Sequence, residues 1–221
     1  MVIRAIITGA TGMVGEGVLH ECLLNPAVER VLVINRRPGG VSHPKLTEVI
    51  HADFFDLSAI ESQLSGYNAC FFCLGISSVG VSADAYARMT YDLTLHTART
   101  LVPLNPDMTF CYVSGAGTDS TEQGSSRWAR VKGKTENDLR KVPFRQAFMF
   151  RPGFLRPTPG LRNTKSYYRY LGWLFPILRS VLPRYVSTLA ELGRAMIRVA
   201  ESGYPKPVLE VPDIVKLGQA G

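Results

Sequence analysis

The chain has 221 residues, 46% of them hydrophobic, and a formal net charge of +7. This apolar content excludes an intrinsically disordered protein, and the length suits one α/β domain with a sizeable core. The basic residues form separate clusters without interleaved aromatic side chains, which excludes an array of the kind that binds single-stranded nucleic acid. We expect no nucleic-acid partner, and an anionic ligand accounts for part of the charge.

The first element is an apolar run, Ile3 to Ile7, that predicts a buried strand followed at once by a glycine-rich turn and a helix. Gly9 allows a tight turn, Gly12 leaves the backbone open to a pyrophosphate, and Gly15 lets the helix pack closely on the strand. The helix N-terminus adds unpaired N–H groups and the positive end of its dipole. The turn therefore predicts a dinucleotide site with these binding residues: Gly9, Thr11, Gly12, Met13, Val14 and Gly15.

The second predicted strand, Val31 to Asn35, is followed by Arg36 and Arg37. In folds selective for NAD, an acidic residue at the strand end binds the ribose 2′-hydroxyl. Asn35 stands there instead, and a guanidinium pairs with a 2′-phosphate through a charge-assisted bond of about 1.5–3 kcal/mol. The sequence therefore favours NADP over NAD, with solvated turn arginines as the alternative.

Two later strand ends supply further candidate cofactor contacts. Asp53 and Phe54 follow a strand predicted near residues 48–51, where they contact the adenine or, as the alternative, Asp53 is a surface residue of a turn. Leu74 and Gly75 end the strand predicted at 69–74, where a glycine allows close approach of a ribose.

The pair Cys70 and Cys73 lies inside that apolar run, and a second pair of metal ligands is missing. We interpret both as small core residues and expect no metal. The chain begins directly with strand residues and shows no signal-peptide pattern, which predicts a cytoplasmic location.

The remaining elements continue an alternation of strands and helices. This alternation predicts a Rossmann-type doubly wound parallel sheet with helices on both faces, within a single domain. Residues 1–155 form its predicted core, and residues 156–221 form a small C-terminal helical cap with a closing strand and helix. The predicted later elements are a helix at 83–101 that ends at Pro103, strands at 108–113 and 146–150, a helix at 126–140, a helix that begins with a capping box at Thr188 and Glu191, a strand at 208–211 and a helix after Pro212.

The segment 167–185 is aromatic, apolar and flanked by basic residues. It is too short and too interrupted by proline to span a bilayer. A lid over the substrate pocket or internal packing, a homodimer contact and an interfacial membrane contact are its three interpretations. A lid of this composition favours an apolar small-molecule substrate.

Five motifs in one order make the chain similar to the atypical short-chain dehydrogenase/reductase family, close to epimerase-like and Tat-interacting oxidoreductase-like proteins. The resemblance implies a bound nicotinamide dinucleotide and a catalytic Ser…Tyr-x-x-x-Lys set. It covers nearly the whole chain and is most specific over residues 1–155. The motifs are Gly9-Ala10-Thr11-Gly12-Met13-Val14-Gly15, Cys73-Leu74-Gly75, Val113-Ser114-Gly115-Ala116-Gly117, Lys132-Gly133-Lys134-Thr135-Glu136 and Phe150-Arg151-Pro152-Gly153.

The catalytic set implied by the resemblance is incomplete in this chain. Ser114 matches the serine and Lys132 matches the lysine, but the tyrosine position holds Trp128. Trp128 and Lys132 are one helical turn apart and share a face. An indole N–H donates a hydrogen bond but has no acid–base chemistry near neutral pH, so Trp128 does not replace the tyrosine as a proton donor.

Three interpretations of this site stay open. In the first, the protein is an oxidoreductase or epimerase in which Ser114 polarises a carbonyl, Lys132 holds the nicotinamide ribose and a tyrosine elsewhere is the acid; Tyr91 is favoured over Tyr86 and Tyr112. In the second, the protein binds NADP(H) without catalysis, as a regulator or scaffold. In the third, the indole stacks on a flat substrate or on the nicotinamide, and hydride transfer needs no protein acid.

Overall fold

The computed structural model describes residues 1–163 and 175–220. Its main feature is a seven-stranded, wholly parallel sheet, with a separate two-stranded parallel sheet beside it. The strands are β1 (Ile3–Thr8), β2 (Val28–Asn35), β3 (Leu46–Ile50), β4 (Ala69–Phe72), β5 (Thr109–Val113), β6 (Gln146–Arg151), β7 (Phe154–Arg156), β8 (Val186–Thr188) and β9 (Val208–Glu210). The main sheet has the order β3-β2-β1-β4-β5-β6-β9, and β7 pairs with β8.

Helices cover both faces of the main sheet, as the alternation of elements predicts. The helices are α1 (Met13–Leu24), α2 (Ala83–Ala87), α3 (Leu93–Leu104), α4 (Arg127–Leu139), α5 (Phe175–Val181), α6 (Leu189–Ser202) and α7 (Val211–Gln219). Helices α1, α6 and α7 pack on one face of the sheet, and α3 and α4 pack on the other. Alternate residues of β1 point into the two cores, Ile7 into the first and Ile6 into the second. The Rossmann-type fold expected from the sequence is confirmed.

The long helix predicted from residue 83 is present but differs in two details. A π-helical turn, Arg88–Asp92, joins α2 to α3. Pro103 does not stop α3, which continues to Leu104. Asn105 closes this end instead, because its backbone N–H donates to Val102 O at 3.3 Å and its Nδ2 donates to Leu101 O at 3.2 Å.

The C-terminal part contributes to the main layers of the fold. The capping box predicted at the start of α6 is confirmed: Thr188 Oγ1 accepts from Glu191 N at 3.0 Å, and Thr188 N donates to Glu191 Oε2 at 2.8 Å. Helix α6 packs beside α1, and β9 extends the main sheet. The small sheet of β7 and β8 was not predicted, since three-residue strands carry too little pattern to identify.

The aromatic segment 167–185 lies partly outside the described residues, which resume at Phe175. In the part that is described, Pro176 lies in the first turn of α5, where proline is tolerated. Ile177, Val181 and Tyr185 are exposed to solvent. Lid, dimer contact and membrane contact all stay predictions. Among the described residues, no helix combines the length and apolar character needed to cross a bilayer.

Candidate functional site

The glycine turn between β1 and α1 has a backbone that only glycine fits at two positions. Gly9 has a φ of +73°, and a Cβ there would lie 2.8 Å from the carbonyl carbon of Cys73. A Cβ at Gly15 would collide with the carbonyl oxygen of Gly9. A Cβ at Gly12 would lie 3.4 Å from the carbonyl oxygen of Gly9, an ordinary contact, so the protein itself does not require glycine at this position. The turn thus holds α1 close to β1 and leaves the helix N-terminus accessible.

A cleft of about 300 Å³ opens in front of this turn. It lies where β1 and β4 are neighbours and the strand order reverses, the position at which doubly wound sheets bind ligands. Most of the residues that the sequence assigns to cofactor binding line it together. The lining residues are Gly9, Thr11, Gly12, Ile34, Asn35, Arg36, Arg37, Phe54, Cys73, Leu74 and Gly75.

The end of β2 forms one wall of this cleft. Asn35 Nδ2 donates to Glu48 Oε1 at 2.6 Å, and the same oxygen accepts from Gly39 N at 2.8 Å. Asn35 Oδ1 is buried and has no hydrogen-bond partner within the described ranges. Arg36 and Arg37 are exposed, and no described residue pairs with either guanidinium. The wall therefore presents two unpaired cations and contains one unpaired acceptor that is buried from solvent.

A second cavity of about 250 Å³ adjoins the cleft and shares Arg36, Phe54, Leu74 and Gly75 with it. Phe54 is buried there. The Asp53 carboxylate also lines this cavity, and its Oδ1 accepts from the backbone N–H of Phe55 at 2.8 Å. One carboxylate oxygen of Asp53 is thus engaged by the turn.

The residues present fit a dinucleotide. The glycine turn forms a cradle that side chains would fill, the N-terminus of α1 faces it, and the buried Asn35 Oδ1 at its side has no hydrogen-bond partner among the described residues. Met13 and Val14, also assigned to the cofactor, form the first turn of α1. Cys73 does not act as a nucleophile here, since burial raises the pKa of its thiol to about 12.

Ser114 and Lys132 meet at the end of β5, next to the end of β4. The strands are in register, with Phe72 opposite Tyr112, so Ser114 lies level with the cleft residue Leu74. The ammonium of Lys132 donates a hydrogen bond to the carbonyl oxygen of Ser114. Burial lowers the pKa of Lys132 from 10.5 to about 8, against an opposing effect of the nearby Glu136 carboxylate.

The Ser114 hydroxyl is engaged inside the protein. It has one hydrogen to donate, and its Oγ lies 2.5 Å from Glu136 Oε1 and 3.1 Å from Phe150 O. In this arrangement its hydrogen is given to Glu136 or Phe150, and a substrate carbonyl does not receive it.

Trp128 lies on the first turn of α4 and is partly buried. The edge of its indole ring packs on the loop after β5, where a Cβ at Gly117 would lie 3.6 Å from Cη2 of the indole. Within the described ranges, its N–H has no hydrogen-bond partner. The ring is thus a flat apolar surface against the loop after β5.

The three candidate tyrosines are not joined to that pair by their hydroxyl groups. Tyr91 donates to Asp138 Oδ2 at 2.7 Å, and this hydrogen bond raises its pKa. Tyr86 and Tyr112 are 1% and 2% exposed, and burial raises the pKa of both. A tyrosine held in this way is a poor proton donor near neutral pH.

Sequence reasoning missed the charged network behind Ser114. Glu136 is 1% exposed and accepts from Arg151 Nε at 3.0 Å and Nη2 at 2.5 Å. Arg151 also donates to Glu210 Oε1 at 3.2 Å and to Ser120 Oγ at 2.5 Å. Glu136 and Arg151 both fall in motifs that carry the family resemblance, so the motifs themselves were the available signal.

Comparison with protein families gives one match to more than half of the chain. The model described as the NAD dependent epimerase/dehydratase family matches residues 5–118. Curated relatives include "Protein FMP52-1, mitochondrial" of Scheffersomyces stipitis, 28% identical over 168 residues that cover 73% of each chain. "Protein HTATIP2" of Rattus norvegicus is 28% identical over 151 residues, which cover 67% of this chain and 61% of that protein.

Solved structures share the fold at low sequence identity. A UDP-N-acetylglucosamine 4-epimerase from Methanobrevibacter ruminantium M1, in complex with UDP-N-acetylmuramic acid, has a TM-score of 0.66 at 14% identity, over 97% of this chain and 80% of that chain. A short chain dehydrogenase from Burkholderia cenocepacia J2315, in complex with NADP, has a TM-score of 0.66 at 16% identity, over 97% and 91%.

The expected cytoplasmic location is contradicted by the curated relatives. The proteins of Scheffersomyces stipitis, Emericella nidulans and Aspergillus clavatus are all named as mitochondrial. The expectation was based on a missing signal-peptide pattern. That pattern reports on secretion only and does not distinguish the cytoplasm from an organelle.

Proposed function

The chain belongs to the NAD-dependent epimerase/dehydratase family, and on this premise we propose that it is an NADP(H)-dependent oxidoreductase, or an epimerase-like enzyme, acting on a small and flat apolar substrate. The observation that carries the proposal is one continuous edge of the sheet. It leads from the unpaired Arg36 and Arg37, past the glycine turn, to Leu74 and the amine of Lys132.

The proposed cofactor contacts follow from this edge. Arg36 and Arg37 bind the 2′-phosphate, and the N-terminus of α1 at Gly12 binds the pyrophosphate. Asn35 Oδ1 accepts from an adenosine hydroxyl or amino group. Gly75, where a Cβ would have no atom within 4 Å, borders the nicotinamide half.

A nicotinamide cofactor held by these residues would be the source of hydride for the substrate carbon. Lys132 donates a proton from its ammonium group to the substrate oxygen, and water then reprotonates the amine. A pKa of about 8 leaves most of Lys132 charged at neutral pH yet able to release its proton. Trp128 packs against the flat substrate, and Ser114 places its carbonyl oxygen against Lys132 and so orients the amine.

A non-catalytic NADP(H)-binding regulator is the second candidate function. One observation favours it: neither group that the family resemblance assigns to the substrate carbonyl is available. The tyrosine is replaced by Trp128, and the serine hydroxyl is engaged within the protein. Trp128 has no acidic proton near neutral pH, and the Ser114 hydroxyl is engaged by Glu136 and Phe150.

Substrate-dependent NADPH oxidation separates the two functions. We expect the native chain to oxidise NADPH in the presence of one or more aldehydes, ketones or quinones, since the proposed cofactor cleft and the ammonium of Lys132 lie along one edge of the sheet. The matched comparison is Trp128→Tyr, which adds the missing phenol. A native chain that binds NADPH and stays inactive while Trp128→Tyr oxidises it would establish the regulator instead.

Replacing Arg36 and Arg37 together by glutamine is expected to weaken NADPH binding while leaving NADH binding unchanged. The charge-assisted bonds removed contribute about 1.5–3 kcal/mol each, which corresponds to a loss of at least about tenfold in affinity. Isothermal calorimetry measures both affinities. The pair Arg99→Gln and Arg140→Gln removes the same charge from other exposed positions and serves as the control. Equal losses for NADPH and NADH would show that the two arginines do not bind a 2′-phosphate.

A further inference from the structure

A carboxylate lies in the first turn of the helix proposed to bind the pyrophosphate. Glu16 is only 7% exposed, and a negative charge there would repel an incoming phosphate. Two backbone groups engage it: Arg162 N donates to Oε1 at 2.8 Å, and Asn163 N donates to Oε2 at 2.7 Å. Glu16 thus holds residues 162 and 163 beside the N-terminus of α1.

The chain reaches this point from β7 by a short turn. Gly160 has a φ of +86°, and Leu161 N lies 3.5 Å from Thr158 O. The turn brings Arg162 to the loop that follows β2. There its Nη1 donates to the carbonyl oxygen of Gly40 at 3.3 Å.

Gly40 is three residues beyond Arg37, in the loop that carries both cleft arginines. The neighbouring Gly39 fixes this loop to Glu48 by a hydrogen bond of 2.8 Å. The Arg162 side chain is exposed, and the bond to Gly40 is its only side-chain hydrogen bond within the described ranges. A guanidinium has five N–H donors, so four are left for a ligand.

We propose that Arg162 is a third ligand of the cofactor 2′-phosphate and thus a determinant of NADP(H) preference contributed by the C-terminal half of the chain. The inference rests on the proposed function. Arg36 and Arg37 approach from the strand end, while Arg162 approaches from the segment that Glu16 holds in place. Glu16 holds the Arg162 backbone, and the guanidinium has one hydrogen bond to the carbonyl oxygen of Gly40, so part of the entropy cost of positioning this cation is met before the cofactor arrives.

The test replaces Arg162 by glutamine, which removes the charge and keeps an N–H donor for Gly40. Calorimetry of the full chain is performed with NADPH, NADH, adenosine 2′,5′-bisphosphate and adenosine 5′-monophosphate. We expect about a 10-fold or greater loss of affinity for the two ligands with a 2′-phosphate. The affinities for NADH and adenosine 5′-monophosphate are expected to stay within about twofold, which also shows that the variant is folded. Arg140→Gln is the charge-matched control.

The possible results separate this inference from the proposed function. In one result, the native chain binds NADPH more tightly than NADH, and Arg162→Gln leaves that preference unchanged. The proposed role of Arg162 is then overturned, while the proposed function stands. If the native chain binds neither dinucleotide, the proposed function is wrong, and the inference about Arg162 is wrong with it. An equal loss for ligands with and without the 2′-phosphate would assign Arg162 to the fold of the loop and also overturn the inference.

Discussion

Replacing Lys132 by methionine is expected to lower the rate of substrate-dependent NADPH oxidation by about 10²- to 10⁴-fold, the usual contribution of a general acid. The reason is that the other described groups at or near the end of β5 are poor proton donors: the Trp128 indole is not acidic near neutral pH, burial raises the pKa of Tyr112, and the Ser114 hydroxyl is engaged by Glu136 and Phe150. The measurement is kcat under saturating NADPH for the native chain and the variant.

Lys132→Arg is the matched control, because it keeps a positive charge that does not ionise in the accessible pH range. We expect the arginine variant to bind NADPH like the native chain and to be nearly as slow as Lys132→Met. A rate restored by arginine would show that the charge, and not the proton, is what the reaction uses.

The pH dependence of kcat tests which protonation state of Lys132 is the active one. The ammonium form of Lys132 is the donor, so kcat in the direction of carbonyl reduction is expected to be flat below about pH 8 and to fall about tenfold per pH unit above it. In the reverse direction the neutral amine accepts the proton, and the rate rises through the same pH. A reduction rate that increases with pH would contradict this assignment.

Removing the buried carboxylate of Glu136 is expected to lower the free energy of unfolding by about 3 kcal/mol or more, because it leaves the guanidinium of Arg151 without its buried partner. Arg151 keeps Glu210 at 3.2 Å, which places the loss toward the lower end of the usual range. The measurement is the free energy of unfolding in urea, determined for the Glu136→Ala variant and for the native chain.

Two further variants check the origin of that loss. Glu136→Gln keeps an acceptor for Arg151 and Ser114. Its free energy of unfolding is therefore expected to fall by less than that of the alanine variant. Glu210→Ala removes a partner that is 49% exposed, and about 1 kcal/mol or less is expected. A Glu136→Ala variant within about 1 kcal/mol of the native chain would show that solvent or rearranged side chains replace the pair.

The sequence identified those parts of the site that depend on local backbone geometry. The requirement for glycine at Gly9 and Gly15 is a property of one turn, and the strand and helix around it show their own periodicities. The candidate cofactor residues after β2 and β4 were located because parallel strands end at one edge. The capping box at Thr188 and Glu191 is equally local.

Contacts between segments that are distant along the chain could not be predicted from the sequence in this way. The partner of the Ser114 hydroxyl is 22 residues away, and Glu16 binds backbone groups 146 and 147 residues away. Tyr91 illustrates the limit best: its position on a helix was predicted, but its hydroxyl is bonded to Asp138 on another helix. Side-chain direction depends on packing, which spacing along the chain does not encode.

Calorimetric titration of the native chain with NADPH and with NADH tests the central claim most directly. The three arginines around one loop and the missing acidic residue at Asn35 predict that NADPH binds at least about tenfold more tightly, since one charge-assisted bond is enough for that difference. NADH binding as tightly as NADPH, or more tightly, would contradict the account.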